Sequence, residues 1–254
     1  MWDVATGCLR LVDIPRQLLY AIAADGGHNA PVALSERVTA IVPAEGGAWL
    51  AVFERSIGRL DPVTGEIEQL LSIPGSSDLR LNDAVSGRDG ILYVGSVDRS
   101  GAHRGELYAV NDQLAVTTVA VGLAASNGID TSPSGDTLVY VDSLDDRLTL
   151  GIAGTEVAVP HPDGVAVDEE GYVWVALWGH GEVRRFSAEG ALDRVIAVPT
   201  ALVTNIAFGG MDLDELFITT AQGDEAAQGG AVFRLRPGVR GLAPEPFRFR
   251  DAAT

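Results

Sequence analysis

The feature that most constrains the fold is a nine-residue frame that recurs along the chain. Each copy opens near a small polar residue, passes through a short apolar stretch and closes on Gly. The copies are VTAIVPAEG (Val38–Gly46), NDAVSGRDG (Asn82–Gly90), NGIDTSPSG (Asn127–Gly135) and DGVAVDEEG (Asp163–Gly171), with a looser one from Asn205. The closing glycines are 44, 45 and 36 residues apart. Such a period is typical of solenoids, propellers and arrays, in which each unit stacks on its neighbours.

Each frame predicts a strand, a tight turn and a second strand. Alternating or β-branched runs such as AWLAVFE, ILYVGSV and YVWVALW follow the closing glycines. Gly supplies the positive φ that hairpin turns need. Further strand-like pieces such as GELYAVN and GEVRRFS bring each unit to three or four short strands. No segment combines a helical period with caps at both ends. We therefore predict an all-β, six-bladed β-propeller that forms a single domain over residues 1–254.

Composition restricts the partners and the chemistry. The formal net charge is −17, which argues against nucleic acid or an anionic membrane surface as a partner. All 18 basic residues are Arg, so Lys Schiff-base chemistry and a Lys-bearing phosphate loop are excluded. Cys8 is the single cysteine, which excludes an internal disulfide and a Cys-based zinc site.

This sequence does not support membrane insertion or export. Its apolar runs are too short to span a bilayer. The first residues, MWDVATGCLRLVDIP, have neither a basic start nor an apolar signal core. We expect a cytoplasmic protein without a membrane partner, and the sequence does not indicate an oligomeric state.

The frame openers predict a site on the propeller axis, because the innermost strands of all blades line one central channel. These openers are Val38, Asn82, Asn127, Asp163 and Asn205. Four of the five carry side-chain oxygens of the kind that hard divalent cations prefer. The alternative is structural: Asn-Gly and Asp-Gly are common turn dipeptides, and equivalent turns would also recur in register.

Other candidates have structural interpretations. The four histidines lie near Gly or Pro in predicted loops, where solvated side chains are expected: His28, His103, His161 and His180. Trp49 and Trp174 lie in the second strands of their frames and are expected in the core between blades. The sequence has no GxSxG motif, which disfavours a serine hydrolase of that type.

Several stretches resemble the family of gluconolactonases and regucalcin-like proteins, the senescence-marker-protein lactonases. They are RLND (80–83), SNGIDTSPSGDTLVYVDS (126–143), PDGVAVDEEGYVWVA (162–176), TNIAFGGMDLDELFIT (204–219) and GGAVFRLRPGVRGLAPEPF (229–247). WDVATGCLRLVDIP also resembles the start of the family's fold. The matches keep the family's order and cover nearly the whole chain. Members of this family are six-bladed propellers.

The resemblance implies a metal-dependent hydrolase of carbohydrate metabolism that opens a small sugar lactone to its aldonic acid. It implies that Asn127 and Asp163 are two of the three protein ligands of one divalent metal, with Ca²⁺ preferred over Zn²⁺, Mg²⁺ or Mn²⁺. It further implies that Arg80 and Asn82 bind the substrate and that Asp163 is the general base.

The chain departs from the family pattern at its start. The family's third metal ligand is a Glu in a G-E-x-P-x-W segment, but here Met1 directly precedes Trp2. We therefore expect an incomplete first blade and an unclosed ring, owing either to an upstream start codon or to an altered site. The 36-residue spacing also predicts trimmed outer strands in the blade that contains LTLGIAGTEVAVP. A non-catalytic propeller that binds a small molecule or protein, and a related ester or phosphotriester hydrolase, stay open as alternatives.

Overall fold

The chain folds into six antiparallel sheets, each made of strands that are consecutive in sequence. The structure is a computed structural model that describes residues 1–73, 76–152, 154–223 and 228–250. Successive sheets contact one another, and the first sheet also contacts the last, so the sheets close into a ring. The predicted all-β, six-bladed propeller is confirmed.

The first three blades each contain four described strands. Blade 1 contains β1 (Trp2–Asp3), β2 (Cys8–Asp13), β3 (Leu18–Ala23) and β4 (Val32–Ala33). Blade 2 contains β5 (Val38–Pro43), β6 (Trp49–Phe53), β7 (Ser56–Leu60) and β8 (Ile67–Ser72), with a short 3-10 turn at Glu45–Gly47. Blade 3 contains β9 (Leu79–Ser86), β10 (Leu92–Asp98), β11 (Gly105–Val110) and β12 (Val116–Leu123).

Blades 4 and 5 also have four described strands, and blade 6 has three. Blade 4 contains β13 (Ser126–Thr131), β14 (Leu138–Asp142), β15 (Arg147–Leu150) and β16 (Thr155–Ala158). Blade 5 contains β17 (Pro162–Val167), β18 (Val173–Leu177), β19 (Glu182–Phe186) and β20 (Leu192–Ala197), and blade 6 contains β21 (Val203–Gly209), β22 (Glu215–Thr220) and β23 (Val232–Leu235). β15 and β16 have four residues each, whereas β11 and β12 have six and eight, so the predicted trimming of this blade is confirmed.

The closing glycines form the hairpin turns between the first and second strands, as predicted. Their φ angles are 74° at Gly46, 81° at Gly90, 80° at Gly135 and 83° at Gly171. A residue with a Cβ is strained in this left-handed region, so these turns need Gly. The openers lie at the other end of the innermost strands, and the frame therefore spans the propeller from one face to the other.

The core lies between neighbouring blades. Branched aliphatic side chains of β14, β17 and β18 pack together between blades 4 and 5. Trp174 is fully buried in the next interface, where its ring meets that of Phe208 edge to face at a centroid distance of 5.9 Å. Trp49 is also buried, next to Leu60 in the cluster between blades 1 and 2. Both tryptophans thus have the predicted core role.

Blade 1 meets blade 6 through side chains. Its innermost strand has two residues, whereas those of the other blades have six to eight. Trp2 is buried and stacks on Phe217 of β22, with ring centroids 5.3 Å apart, and it packs against Gly209. The expected unclosed ring is therefore wrong, because the described residues close it by aromatic packing. The first blade has four strands, and the expected incompleteness is limited to its two-residue innermost strand.

The last described segment, residues 236–250, crosses the face that carries the closing glycines. Backbone hydrogen bonds join Glu169 to Arg240 and Phe247 to Pro43, at 2.9 and 2.8 Å. Phe247 is fully buried among the side chains of blades 2 and 3. This segment therefore covers the propeller at the end opposite to the frame openers. Among the described residues, no helix has the length and apolar character needed to span a membrane.

Candidate functional site

The polar openers lie inside strands, at the end of the channel opposite to the closing glycines. Asn127 is the second residue of β13, and Asp163 is the second residue of β17. The interpretation of Asn127-Gly128 and Asp163-Gly164 as turn dipeptides is therefore wrong. Gly128 and Gly164 serve another purpose, because the innermost strands of neighbouring blades approach closely there.

Two close contacts show why Gly follows each of these openers. A Cβ on Gly128 would lie 2.4 Å from the carbonyl oxygen of Asp163. A Cβ on Gly164 would lie 2.2 Å from Oδ1 of Asn205. Any other residue would push blades 4, 5 and 6 apart around the channel. Gly thus sets the distance between the openers of successive blades.

Asp163 is held in contact with Asn127. Burial, followed by the neighbouring charge of Asp83, raises the pKa of Asp163 to about 8, and a hydrogen bond from the side chain of Asn127 opposes both effects. The carboxyl group is therefore mostly protonated at neutral pH, unless a cation or another positive charge approaches it.

The amide of Asn127 is oriented by Ser143 of its own blade, which in turn bonds to the next blade. Its Nδ2 donates to Oγ of Ser143 at 3.1 Å, and that hydroxyl donates to the carbonyl oxygen of Pro162 at 2.5 Å. Oδ1 of Asn127 accepts no hydrogen bond from the described residues. The amide nitrogen thus serves both Ser143 and Asp163, and the amide oxygen has no donor in the described part of the chain.

Arg80 and Asn82 form a second pair at the same end of the channel. Nη2 of Arg80 donates to Oδ1 of Asn82 at 2.9 Å, and Nδ2 of Asn82 donates to the carbonyl oxygen of Ser126 at 3.1 Å. Because Ser126 directly precedes Asn127, this chain of hydrogen bonds connects the Arg80 guanidinium to the blade that carries the amide. Burial, followed by the charge of Arg99, lowers the pKa of Arg80. The group still carries its charge at neutral pH.

The two other openers, Asn205 and Val38, form no such pair among the described residues. Oδ1 of Asn205 accepts a hydrogen bond from its neighbouring Ile206 N–H at 2.8 Å. Val38 is buried and apolar, in the cluster between blades 1 and 2. The four histidines are exposed, as predicted for solvated loops, and His161 and His180 have ring centroids 5.7 Å apart.

Two channel carboxyl groups, those of Asp83 and Asp130, were not selected from the sequence. Burial raises the pKa of each to about 6. Asp130 accepts hydrogen bonds from the backbone N–H groups of Val167 and Thr131, both at 2.7 Å. The signal that could have revealed them is an acidic residue within an innermost strand, where most neighbours are apolar. At neutral pH both are mostly ionised, so they give the channel negative charge.

The donor set suits a hard cation, although it is small. Asn127 and Asp163 offer an amide and a carboxylate oxygen, which Ca²⁺ and Mg²⁺ accept readily. Within the described ranges, no group of three or more His, Cys, Asp and Glu side chains could hold a metal ion. The residues present therefore fit a cation that keeps several water ligands, and their metal role stays a prediction.

Comparison with known proteins gives a consistent set of relatives. Residues 1–222 match the model of a family described as the SMP-30/Gluconolactonase/LRE-like region. A pentonolactonase of Haloferax volcanii is 30% identical over 236 residues, which cover 83% of this chain and 79% of that protein. A 6-deoxy-6-sulfogluconolactonase of Pseudomonas putida is 28% identical in an alignment 276 residues long, which covers 97% of this chain and 93% of that protein.

A solved structure agrees with the fold. The crystal structure of a calcium-binding protein, regucalcin from Agrobacterium tumefaciens, is similar to this chain with a TM-score of 0.86 and 25% sequence identity. The similarity covers 98% of this chain and 92% of the other. The similarity thus extends over all six blades.

Proposed function

The chain belongs to the SMP-30/gluconolactonase/LRE-like family, and we propose that it hydrolyses a small sugar lactone to the corresponding aldonic acid with the help of one divalent metal ion. The observation that supports this proposal is the grouping of two pairs, Arg80 with Asn82 and Asn127 with Asp163, at one mouth of the channel. The relatives named pentonolactonase and sulfogluconolactonase support the same reaction class.

Asn127 and Asp163 are the residues that would hold the metal. When bound, a divalent cation polarises a carbonyl group and lowers the pKa of a coordinated water. Oδ1 of Asn127 has no donor among the described residues, and the side chain of the same residue bonds to Asp163, so one amide oxygen and one carboxylate group lie on neighbouring innermost strands. The oxygen donors favour Ca²⁺, with Mg²⁺, Mn²⁺ and Zn²⁺ as alternatives.

The side chains at the mouth also have direct roles toward the lactone. Arg80 and Asn82 would bind the ring hydroxyls, because a guanidinium group presents several donors in a fixed plane. The ionised carboxylate of Asp163 would accept a proton from the water whose oxygen bonds to the carbonyl carbon. Attack of the water gives a tetrahedral intermediate at the carbonyl carbon. When this intermediate collapses, the ring C–O bond breaks and Asp163 returns the proton to the departing ring oxygen.

One observation favours a second candidate, a non-catalytic propeller that binds a small molecule. Two protein donors form a weak cation site, since Ca²⁺ affinity depends on the number of charged ligands. In this case the same polar group would recognise sugar hydroxyls without hydrolysis.

The proposal is tested by following the acid that lactone hydrolysis releases, with protein first treated with EDTA. Colorimetric pH assays with D-glucono-1,5-lactone and a pentonolactone, corrected for spontaneous hydrolysis, should show turnover after Ca²⁺, Mg²⁺, Mn²⁺ or Zn²⁺ is added. Asp163→Ala should lower kcat/KM by at least ~100-fold, the range for removal of a general base. Asp112→Ala removes an exposed turn carboxylate and is the matched control. Unchanged turnover in Asp163→Ala refutes the mechanism, and ligand binding without turnover in the wild type favours the second candidate.

A further inference from the structure

A cluster of guanidinium groups flanks Arg80 at the mouth of the channel. Arg37 directly precedes β5, and Arg99 directly follows β10. Because Arg80 of β9 pairs with Val97 of β10, Arg99 extends past the strand end on the side of Arg80. Val38 pairs with Phe53, so Arg37 and Glu54 also lie at this end of blade 2.

The cluster has more positive than negative charge. Glu54 accepts a hydrogen bond from Nη2 of Arg99 at 2.7 Å, and Nη1 of Arg37 lies 3.8 Å from the same carboxylate oxygen. In the described part of the chain, Arg80 has no carboxylate partner within 4.0 Å. Three guanidinium groups therefore share one carboxylate, which leaves about two positive charges on a protein whose formal net charge is −17.

Two guanidinium groups and one carboxylate act on Arg80. The pKa of Arg80 is lowered by burial first and by the charge of Arg99 next, Glu54 opposes these effects, and Arg37 lowers the pKa again. A neighbouring residue shows the contrast. Arg104 also lies at this face, but Asp78 at 2.9 Å and Asp98 at 3.4 Å neutralise it. The positive potential is thus concentrated around Arg80 rather than spread over the whole face.

Resting on the proposed lactonase activity, we infer that the substrate is a sugar lactone that carries an anionic substituent, such as a carboxylate, sulfonate or phosphate. Arg37 and Arg99 bind this substituent, while Arg80 contacts the ring. Guanidinium groups suit such oxyanions, because their N–H groups form paired, charge-assisted hydrogen bonds with them. The side chains of Arg37 and Arg99 are 58% and 49% exposed, so a ligand can reach both.

The acidic channel strengthens this inference. Asp83 and Asp130 lie farther along the innermost strands than Arg80 and Asn127, so an anionic substituent would be repelled from the channel and attracted to the arginines at the rim. This arrangement orients the substrate, because the charged end stays outside and the uncharged lactone ring points toward Asp163.

Matched pairs of lactones test the inference. One pair is D-glucono-1,5-lactone and its phosphate ester at the terminal hydroxyl, and the other is D-glucono-1,4-lactone and D-glucaro-1,4-lactone. We expect kcat/KM to be at least ~10-fold higher for the charged member of each pair, which corresponds to about 1.4 kcal/mol. The preference should shrink as NaCl is raised, since salt screens exposed charges.

Variants identify the residues responsible. Arg37→Gln combined with Arg99→Gln should bring the ratio between charged and neutral lactones close to one. Arg59→Gln is the matched control, because Arg59 is an exposed arginine of β7 that pairs with Glu68 away from the mouth. Equal kcat/KM for both members of each pair, or a preference that survives in the double variant, overturns the inference.

A binding measurement separates this inference from the proposed function. Calorimetric titration compares D-gluconate with its phosphate ester at the terminal hydroxyl, on the metal-loaded wild type and the double variant. If no lactone is hydrolysed but the phosphorylated acid binds more tightly through Arg37 and Arg99, the charge preference stands and the lactonase proposal fails. Equal binding of the two acids refutes the charge preference, whatever the activity.

Discussion

Replacing Asp163 by Asn is expected to stabilise the metal-free protein, and to do so increasingly as the pH rises. The pKa of this carboxyl group is about 8 in the folded protein and 3.8 in its ordinary state. The folded state therefore holds the proton more tightly than the unfolded chain. The stability that this proton contributes is complete below the unfolded pKa and is lost as the pH rises through the folded pKa.

The magnitude follows from the gap between the two pKa values. Over the whole gap the wild type would lose at most about 6 kcal/mol, and between about pH 5.5 and 8.5 at most about 3 kcal/mol. The Asp163 side chain is only half-buried at the channel mouth, so water reduces this effect, and we expect about 1–2 kcal/mol. For a domain of this size that is about 2–8 °C in Tm.

Thermal unfolding in EDTA at several pH values measures this effect. The Tm difference between Asp163→Asn and the wild type should grow from about pH 5.5 to about pH 8.5. Asp112→Asn makes the same chemical change on an exposed turn and should show no such trend. The reasoning is refuted if the Tm difference stays constant with pH or decreases, because the carboxyl group would then not be protonated in the folded protein.

Three further changes test the architecture. Gly128→Ala places a methyl group 2.4 Å from the carbonyl oxygen of Asp163, so we expect urea unfolding to show a free energy of unfolding lower by about 2 kcal/mol or more. An unchanged midpoint would contradict the close approach of the strands. Trp2→Ala removes the stack on Phe217 that joins the first and last blades and should cost about 3–5 kcal/mol; a wild-type midpoint would show that this contact does not close the ring. Phe247→Ala should also lower the free energy of unfolding by ~3–5 kcal/mol, but it should leave kcat/KM within about twofold because Phe247 lies at the opposite end of the channel. A large fall in activity with little loss of stability would contradict that placement.

Much of the fold could be predicted from local pattern. The frame period, the alternating runs and the closing glycines specify six antiparallel blades, because hairpin formation depends on residues close in sequence. The same local reasoning misjudged Asn127-Gly128 and Asp163-Gly164 in the turn alternative. A strand and a turn can both use these dipeptides, and only the distance to the next blade shows why Gly is required.

The sequence by itself determined the number of blades and the polar residue types that head the innermost strands. Only the tertiary structure decided which of these side chains meet. Asn127 touches Asp163 across 36 residues, Asn82 reaches Ser126 across 44, and Arg37 and Arg99 come to flank Arg80 from two different blades. Burial and neighbouring charges then set the pKa of Asp163, because both depend on the packing of blades around the axis and not on the residues beside it in the chain.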